Sequence, residues 1–174
     1  MLVALLGKKG SGKTTTAEYM EKEYKFIDRP LSKPIKDSAK IMFDLSDQQL
    51  YTEKKEELDK RWNTTPRKIF QLIGTEIARS IDKNVWIKHF ISWYSKHKNQ
   101  NIVVSDCRFQ DQIDAIKNLG GIVIKITRET LKNNDTHITE TGIDNIKGFD
   151  YTIENNCTIK DLHAKIDDFF SVCS

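Results

Sequence analysis

From its amino end, the chain alternates unbroken apolar runs with segments in which apolar residues recur every three or four positions. Leu2-Val3-Ala4-Leu5-Leu6 stops at Gly7, a second run lies within Asn101 to Asp106, and a third spans Ile122 to Thr127. Such runs are expected of parallel strands covered on both faces. Two shorter strands are predicted: Tyr24 to Ile27, closed by Asp28-Arg29-Pro30, and Tyr151 to Ile153. Helical spacing covers Thr14 to about Glu23, Pro34 to about Leu45, Pro66 to about Ile81, Val85 to about His97, and Gln110 to Leu119 before Gly120-Gly121. In the second of these, Ile35, Ala39, Met42 and Phe43 are expected to point inward. Thr65 with Pro66 supplies an N-cap and a first-turn proline, and Thr158 with Asp161 resembles a capping box for a last helix. Ser46 to Asn63 is so charged that a solvated, mobile segment is expected, and Arg128 to Gly148 lacks periodicity. Strands separated by helices predict an α/β fold, a doubly wound parallel sheet flanked by helices. Its ligand crevice should lie at the strands' carboxyl ends.

Composition narrows the class. A chain of 174 residues fits one domain, and a net charge of +3 is too small and too evenly spread for a nucleic-acid surface. Three unpatterned cysteines, Cys107, Cys157 and Cys173, suggest neither a disulfide framework nor a metal knuckle, so a reducing compartment is expected. No apolar run approaches a membrane span, which makes the cytoplasm the expected location.

The chemistry begins at Gly7-Lys8-Lys9-Gly10-Ser11-Gly12-Lys13-Thr14, which satisfies G-x-x-x-x-G-K-[ST] between a predicted strand and a predicted helix. Its glycines, Gly7, Gly10 and Gly12, let backbone amides face a phosphate at a helix amino end. Lys13 should reach the outer phosphates and the Thr14 hydroxyl a Mg²⁺ ion, with Ser11 and Thr15 completing the donor set. Asp106, at the end of its strand, is a second candidate for the magnesium shell. With 22 lysines and only six arginines in the chain, each guanidinium is informative. Arg67, Arg79, Arg108 and Arg128 are candidate phosphate ligands, and the alternative for each is a surface salt bridge.

On the Pro66 to Ile81 helix, Arg67, Gln71, Thr75 and Arg79 recur every four residues, opposite Ile69, Ile73 and Ile77. One face is expected to pack and the other, with Gly74, to read a base or sugar. Glu76 and Trp86 either join that surface or organise the helix pair. Lys33 is a further candidate on the acceptor side. His137 and Glu140 lie in the aperiodic stretch and fit a lid better than a metal pair.

Together these residues resemble the bacteriophage-type deoxynucleoside monophosphate kinases, a branch of the P-loop nucleoside monophosphate kinases. The resemblance spans nearly the whole chain. It rests on the P-loop, on Gln71-Leu72-Ile73-Gly74-Thr75-Glu76 followed by Arg79 and Trp86, on Asp106-Cys107-Arg108-Phe109, and on His137-Ile138-Thr139-Glu140 with Asn155. It departs at Gln110-Asp111, where the family more often has Asn-Glu, and it lacks the D-G-F-P-R and G-x-D-G-x-G-K elements of adenylate and thymidylate kinases. The resemblance implies a three-layer P-loop NTPase-like domain over residues 1–174. Within it, residues 30–98 would form a helical monophosphate-binding region and 128–148 a lid-like segment. It further implies ATP- and Mg²⁺-dependent conversion of a deoxynucleoside monophosphate to its diphosphate by a homodimer. Asn155 would serve the donor nucleotide and His137 the acceptor. Two alternatives stay open: another small-molecule kinase such as a phosphomevalonate kinase, which would not need a base-reading helix, and a nucleotide-binding module without turnover.

Overall fold

The computed structural model describes residues 1–129 and 142–173. It divides into two compact units, Met1–Pro30 with Trp93–Ser174, and Leu31–Ser92.

The first unit is built on a five-stranded parallel sheet in the order β2-β3-β1-β4-β5: β1 Leu2–Leu6, β2 Ile27–Asp28, β3 Ile102–Cys107, β4 Ile122–Thr127 and β5 Tyr151–Glu154. The three apolar runs are its centre. Val3 pairs with Val103 on one side and Ile122 on the other, so β1 is hydrogen-bonded along both edges. Period-two alternation then sends Val3 and Leu5 into a core with Ala17 and Met20 of α1 (Lys13–Tyr24) and with Leu162, Ile166 and Phe169 of the carboxyl-terminal helix (Ile159–Cys173). Leu2, of opposite parity, and Ile116 of the helix Gln110–Asn118 both close on Gly121, and that helix gives the third layer. Tyr19 and Tyr24 of α1 both donate to Asp167, at 2.9 and 2.6 Å, which fastens α1 to the last helix. The hydrogen bond to Asp167, with burial and the carboxylate's charge adding to it, pushes the Tyr24 phenol up to about 12. The capping box holds, with the Asp161 amide donating to Thr158 Oγ1 at 3.3 Å and the Thr158 amide to Asp161 at 3.0 Å.

Two boundaries differ from expectation. The helix α1 runs through Tyr24 and ends where Lys25 adopts φ +57°, with the Phe26 amide reaching back to Met20 O, so β2 starts only at Ile27. The helix Val85–Tyr94 stops short of His97 because its last amides tighten to three-residue bonds, Lys96 to Trp93 O and His97 to Tyr94 O.

The second unit is helical: α2 Lys33–Phe43, α3 Asp47–Tyr51, a 3₁₀ turn at Glu53–Glu56, and α4 Pro66–Gln71 continuing through a π turn (Leu72–Ile77) into α5 (Ala78–Ile81). With Val85–Tyr94 counted as α6, Gln110–Asn118 is α7 and Ile159–Cys173 is α8. Its core joins Ala39, Leu45, Leu50, Ile69 and Ile73, with Ile35 and Phe43 packed alongside. Met42 is not inward; it is 61% exposed, one position past the buried stripe of α2. Nor is 46–63 an unstructured segment. Ser46 and Gln49 form a capping box for α3, Leu50 is fully buried, and Asp59 accepts from Arg61 and Gln49 while its amide donates to Thr64 O. The many charges there face water while one leucine and one buried carboxylate anchor the turn. Among the described residues no helix is long and apolar enough to cross a membrane.

Candidate active site

The loop between β1 and α1 is shaped by two long-range contacts. At its crest Gly12 has φ +110°, and a Cβ there would sit 2.4 Å from the Asn155 amide nitrogen. Only glycine admits both that backbone and that neighbour. Asn155, just past β5, uses the access: its Nδ2 donates to Ser11 O at 2.9 Å in a buried setting, and its own amide donates to Thr127 O at 2.8 Å. At the loop's foot Lys13, 6% exposed, donates to Gly7 O at 2.7 Å and Lys8 O at 2.8 Å. Arg108 Nη1 reaches the same Gly7 carbonyl at 3.3 Å. Two cations thus meet on one loop carbonyl, and phosphate oxygens are stronger acceptors for both. Ser11 Oγ is buried without a hydrogen-bond partner, a further group suited to a polar ligand.

A cavity of about 280 Å³ opens on this loop. It is lined by Gly10, Gly12, Lys13, Thr14 and Thr15, by Arg128, Asn155 and Cys157, and by Ile159 and Leu162. The lining therefore combines helix-terminal amides, two cations and aliphatic side chains. That mixture suits an anion carrying an apolar, planar head. Arg128 is exposed at the end of β4, and Thr14 presents an exposed hydroxyl in the first turn of α1.

Asp106 lies near the end of β3, followed by the buried Cys107, whose thiol burial pushes far above its ordinary range. The turn into α7 is set by Gln112, 5% exposed, whose Oε1 accepts from the Arg108 amide at 2.7 Å and the Phe109 amide at 3.2 Å. That fork fixes where Arg108 leaves the sheet. On the neighbouring strand, Asp28 accepts from Ser105 Oγ at 2.8 Å through Oδ2, while its buried Oδ1 has no partner. Burial, with the Asp106 and Glu21 charges adding to it against the Ser105 bond, raises this carboxyl to about 7. Sequence reading passed over Asp28, although a carboxylate at a strand's end was the cue that found Asp106. Among the described residues no group of three or more His, Cys, Asp or Glu is arranged to hold a metal ion. Thr14 and Asp106 offer hard oxygens of the kind Mg²⁺ takes in small number.

The acceptor-side candidates from Lys33 to Trp86 lie in the helical unit. Gln71, Thr75 and Arg79 are half-buried, Gly74 is buried and Glu76 is exposed. Arg67 Nη1 lies 3.7 Å from Glu56, and Lys33 pairs with Asp37 at 3.1 Å on its own helix. Ile69 and Ile73 pack as expected, but Ile77 is not inward: it is 55% exposed. The indole N–H of Trp86 donates to Gly74 O at 2.8 Å. Indole has a single donor, and here it organises the helix pair. His137 and Glu140 lie outside the described residues.

The family model for deoxynucleotide monophosphate kinase matches residues 46–166. A protein of Acanthamoeba polyphaga mimivirus assigned as a deoxynucleotide monophosphate kinase is 40% identical over 95% of this chain and 94% of its own. The chain belongs to the deoxynucleotide monophosphate kinase family. The enzyme of that name from Enterobacteria phage T4 is 33% identical over 63% of this chain, and the match covers 46% of the phage protein. In fold the chain is similar to dephospho-CoA kinase from Campylobacter jejuni, at TM-score 0.55 and 16% identity over 99% of this chain and 96% of that one. It is also similar to shikimate kinase from Aquifex aeolicus, at TM-score 0.52 and 12% identity over 98% and 96%. These likenesses show a P-loop kinase fold. Within this deoxynucleotide monophosphate kinase family member, the departure at Gln110 has a structural account. Its side-chain amide donates to Lys147 O at 3.1 Å and accepts from the Lys147 amide at 2.9 Å, clamping that backbone from both sides.

Proposed function

We propose that this chain transfers the γ-phosphoryl group of ATP to the 5′-phosphate of a deoxynucleoside monophosphate. The observation that carries this reading is the convergence of Lys13 and Arg108 on Gly7 O, at 2.7 and 3.3 Å, in a loop that opens onto a cavity. The loop amides and Lys13 hold the donor's phosphates, and the exposed Ile159 offers its base an apolar contact. Thr14 and Asp106 would hold Mg²⁺, which supplies charge neutralisation at the donor phosphates. Phosphoryl transfer asks for little covalent work, so the protein's task is to align two anions and neutralise equatorial charge. No general base is needed, since the acceptor phosphate is already anionic. Arg108 and Arg128 draw donor and acceptor together, and Arg67, Gln71, Thr75, Glu76 and Arg79 form the acceptor surface, with Lys33 and His137 as outlying contacts; Gly74, expected on that surface, is buried against Ile35 instead. A homodimer working in the cytoplasm belongs to the same reading and rests on the family resemblance.

The test is a coupled ADP-release assay with Mg-ATP against the four deoxynucleoside monophosphates, their ribonucleotide counterparts and phosphomevalonate. Turnover confined to one or more deoxynucleotides supports the reading. Turnover with phosphomevalonate alone would replace it with the other small-molecule kinase, and ATP binding with no ADP release on any acceptor would leave a nucleotide-binding module.

A further inference from the structure

In an ideal α-helix each residue turns about 100°, so positions four apart drift by about 40° and Arg79 would stand roughly 80° around from Gln71. Such a stripe would wind off any flat ligand. Here the helix contains the π turn Leu72–Ile77, and the Ala78 amide reaches back to Ile73 O where an α-helix would pair it with Gly74 O. A π turn absorbs one extra residue, about 100°, and so brings the Gln71-to-Arg79 offset to roughly −20°. Gln71, Thr75 and Arg79 are thereby restored to a near-axial row.

Two contacts hold that irregular turn. The Gly74 carbonyl, bypassed by Ala78, accepts from Trp86 Nε1 at 2.8 Å. The Gly74 Cα lies against α2 so closely that a Cβ would come 2.7 Å from Ile35 Cδ1, with the next Ile35 atoms at 3.5 and 3.6 Å. Glycine and tryptophan are both needed, one for close approach and one for the donor. All four residues belong to the helical unit, so the device is complete within it.

We propose that Trp86 and Gly74 are positioning residues: they lock a π turn whose purpose is to align Gln71, Thr75 and Arg79 as the surface that discriminates among acceptors. This rests on the acceptor role given to that surface above. Trp86 touches no substrate in this account; it acts through the helix it clamps.

The test uses Trp86→Phe, which keeps the ring and removes the donor. Two readouts are taken: the partner of the Ala78 amide, from hydrogen-bond couplings or a crystal structure, and the KM for the acceptor against the KM for ATP. The lock predicts that Ala78 returns to Gly74 O, that the acceptor KM rises about tenfold with the ATP KM within about twofold, and that preference among acceptors narrows. A π turn that survives unchanged overturns the lock. A turn that reverts with the acceptor KM unmoved overturns its role in recognition. Should Trp86→Phe fail to fold, Gly74→Ala alone and with Ile35→Val decide the matter. The first should raise the acceptor KM and the second, which deletes Cδ1, should restore it, whereas equal values in both and in the parent chain overturn the proposal. If the parent chain phosphorylates no deoxynucleotide, the acceptor reading itself has failed, and the Ala78 readout still shows separately whether the lock exists.

Discussion

Asn155 donates its side-chain amide to the carbonyl of Ser11 at 2.9 Å, joining residues 144 apart in sequence and both almost wholly buried. The bond sets the crest of the phosphate loop from the end of β5, on the far side of β4. A buried carbonyl stripped of its donor costs about 1–3 kcal/mol. Asn155→Ala should therefore lower the unfolding free energy by about that amount and weaken ATP binding, because Gly12 and Ser11 lose their fixed backstop. Urea unfolding and nucleotide titration check both; an unchanged ATP affinity would show that the loop holds its shape without β5.

The polar row on the π-containing helix is assigned to the acceptor. Arg79→Ala or Gln71→Ala should raise the KM for the monophosphate about tenfold while moving the KM for ATP by less than about twofold. If the ATP term moves instead, donor and acceptor surfaces are exchanged in this account.

Arg128 lines the same cavity as Lys13 and Thr14 yet stands exposed at the end of β4. A guanidinium placed there can follow charge onto the transferring group. Arginines with that duty are worth about 10³-fold or more in phosphoryl transfer. Arg128→Ala should lower kcat at least about tenfold, roughly 1.4 kcal/mol, with little change in ATP affinity. Normal turnover at saturation would leave Arg108 as the bridge between the phosphates.

Burial raises the Asp28 carboxyl to about 7, against about 3.9 for an unfolded aspartate. Between those values the folded chain binds the extra proton, so this group's contribution to stability falls as pH rises from about 4 to about 7 and then levels off. Asp28→Asn is neutral throughout and escapes the loss. In urea unfolding with chelator present, its stability relative to the parent should increase between pH 5 and pH 8 by on the order of 1–3 kcal/mol. An equal difference at the two pH values would mean that Asp28 ionises normally in the fold.

These residues differ in how far the sequence announces them. The strands β1, β3 and β4 were legible because continuous apolar runs have no other stable use, and the loop after β1 because its spacing is tied to one geometry. Asp28 was hidden by brevity: a two-residue strand gives no pattern from which to see that its last side chain is buried beside Ser105. The π turn was invisible for a different reason. A periodic count cannot register an extra residue, so nothing in the sequence announces the turn at Leu72–Ile77, and Ile77, expected inward, is exposed. Leu50 escaped notice because one buried leucine among charges carries little weight in a sum, although it is what anchors α3. The meeting of Lys13 and Arg108 at Gly7 O joins separate strands, which no local pattern could report.

The central claim is that the γ-phosphoryl of ATP ends on a deoxynucleoside monophosphate through the loop that Lys13 completes. Phosphorus NMR of the products, with Mg-ATP and each monophosphate in turn, tests it most directly. The account predicts deoxynucleoside diphosphate and ADP in equal amounts from the parent chain, and neither from Lys13→Ala, whose circular dichroism should match the parent because Lys13 serves a loop rather than the apolar core. ADP accumulating with inorganic phosphate in place of the diphosphate, or undiminished transfer by Lys13→Ala, would contradict it.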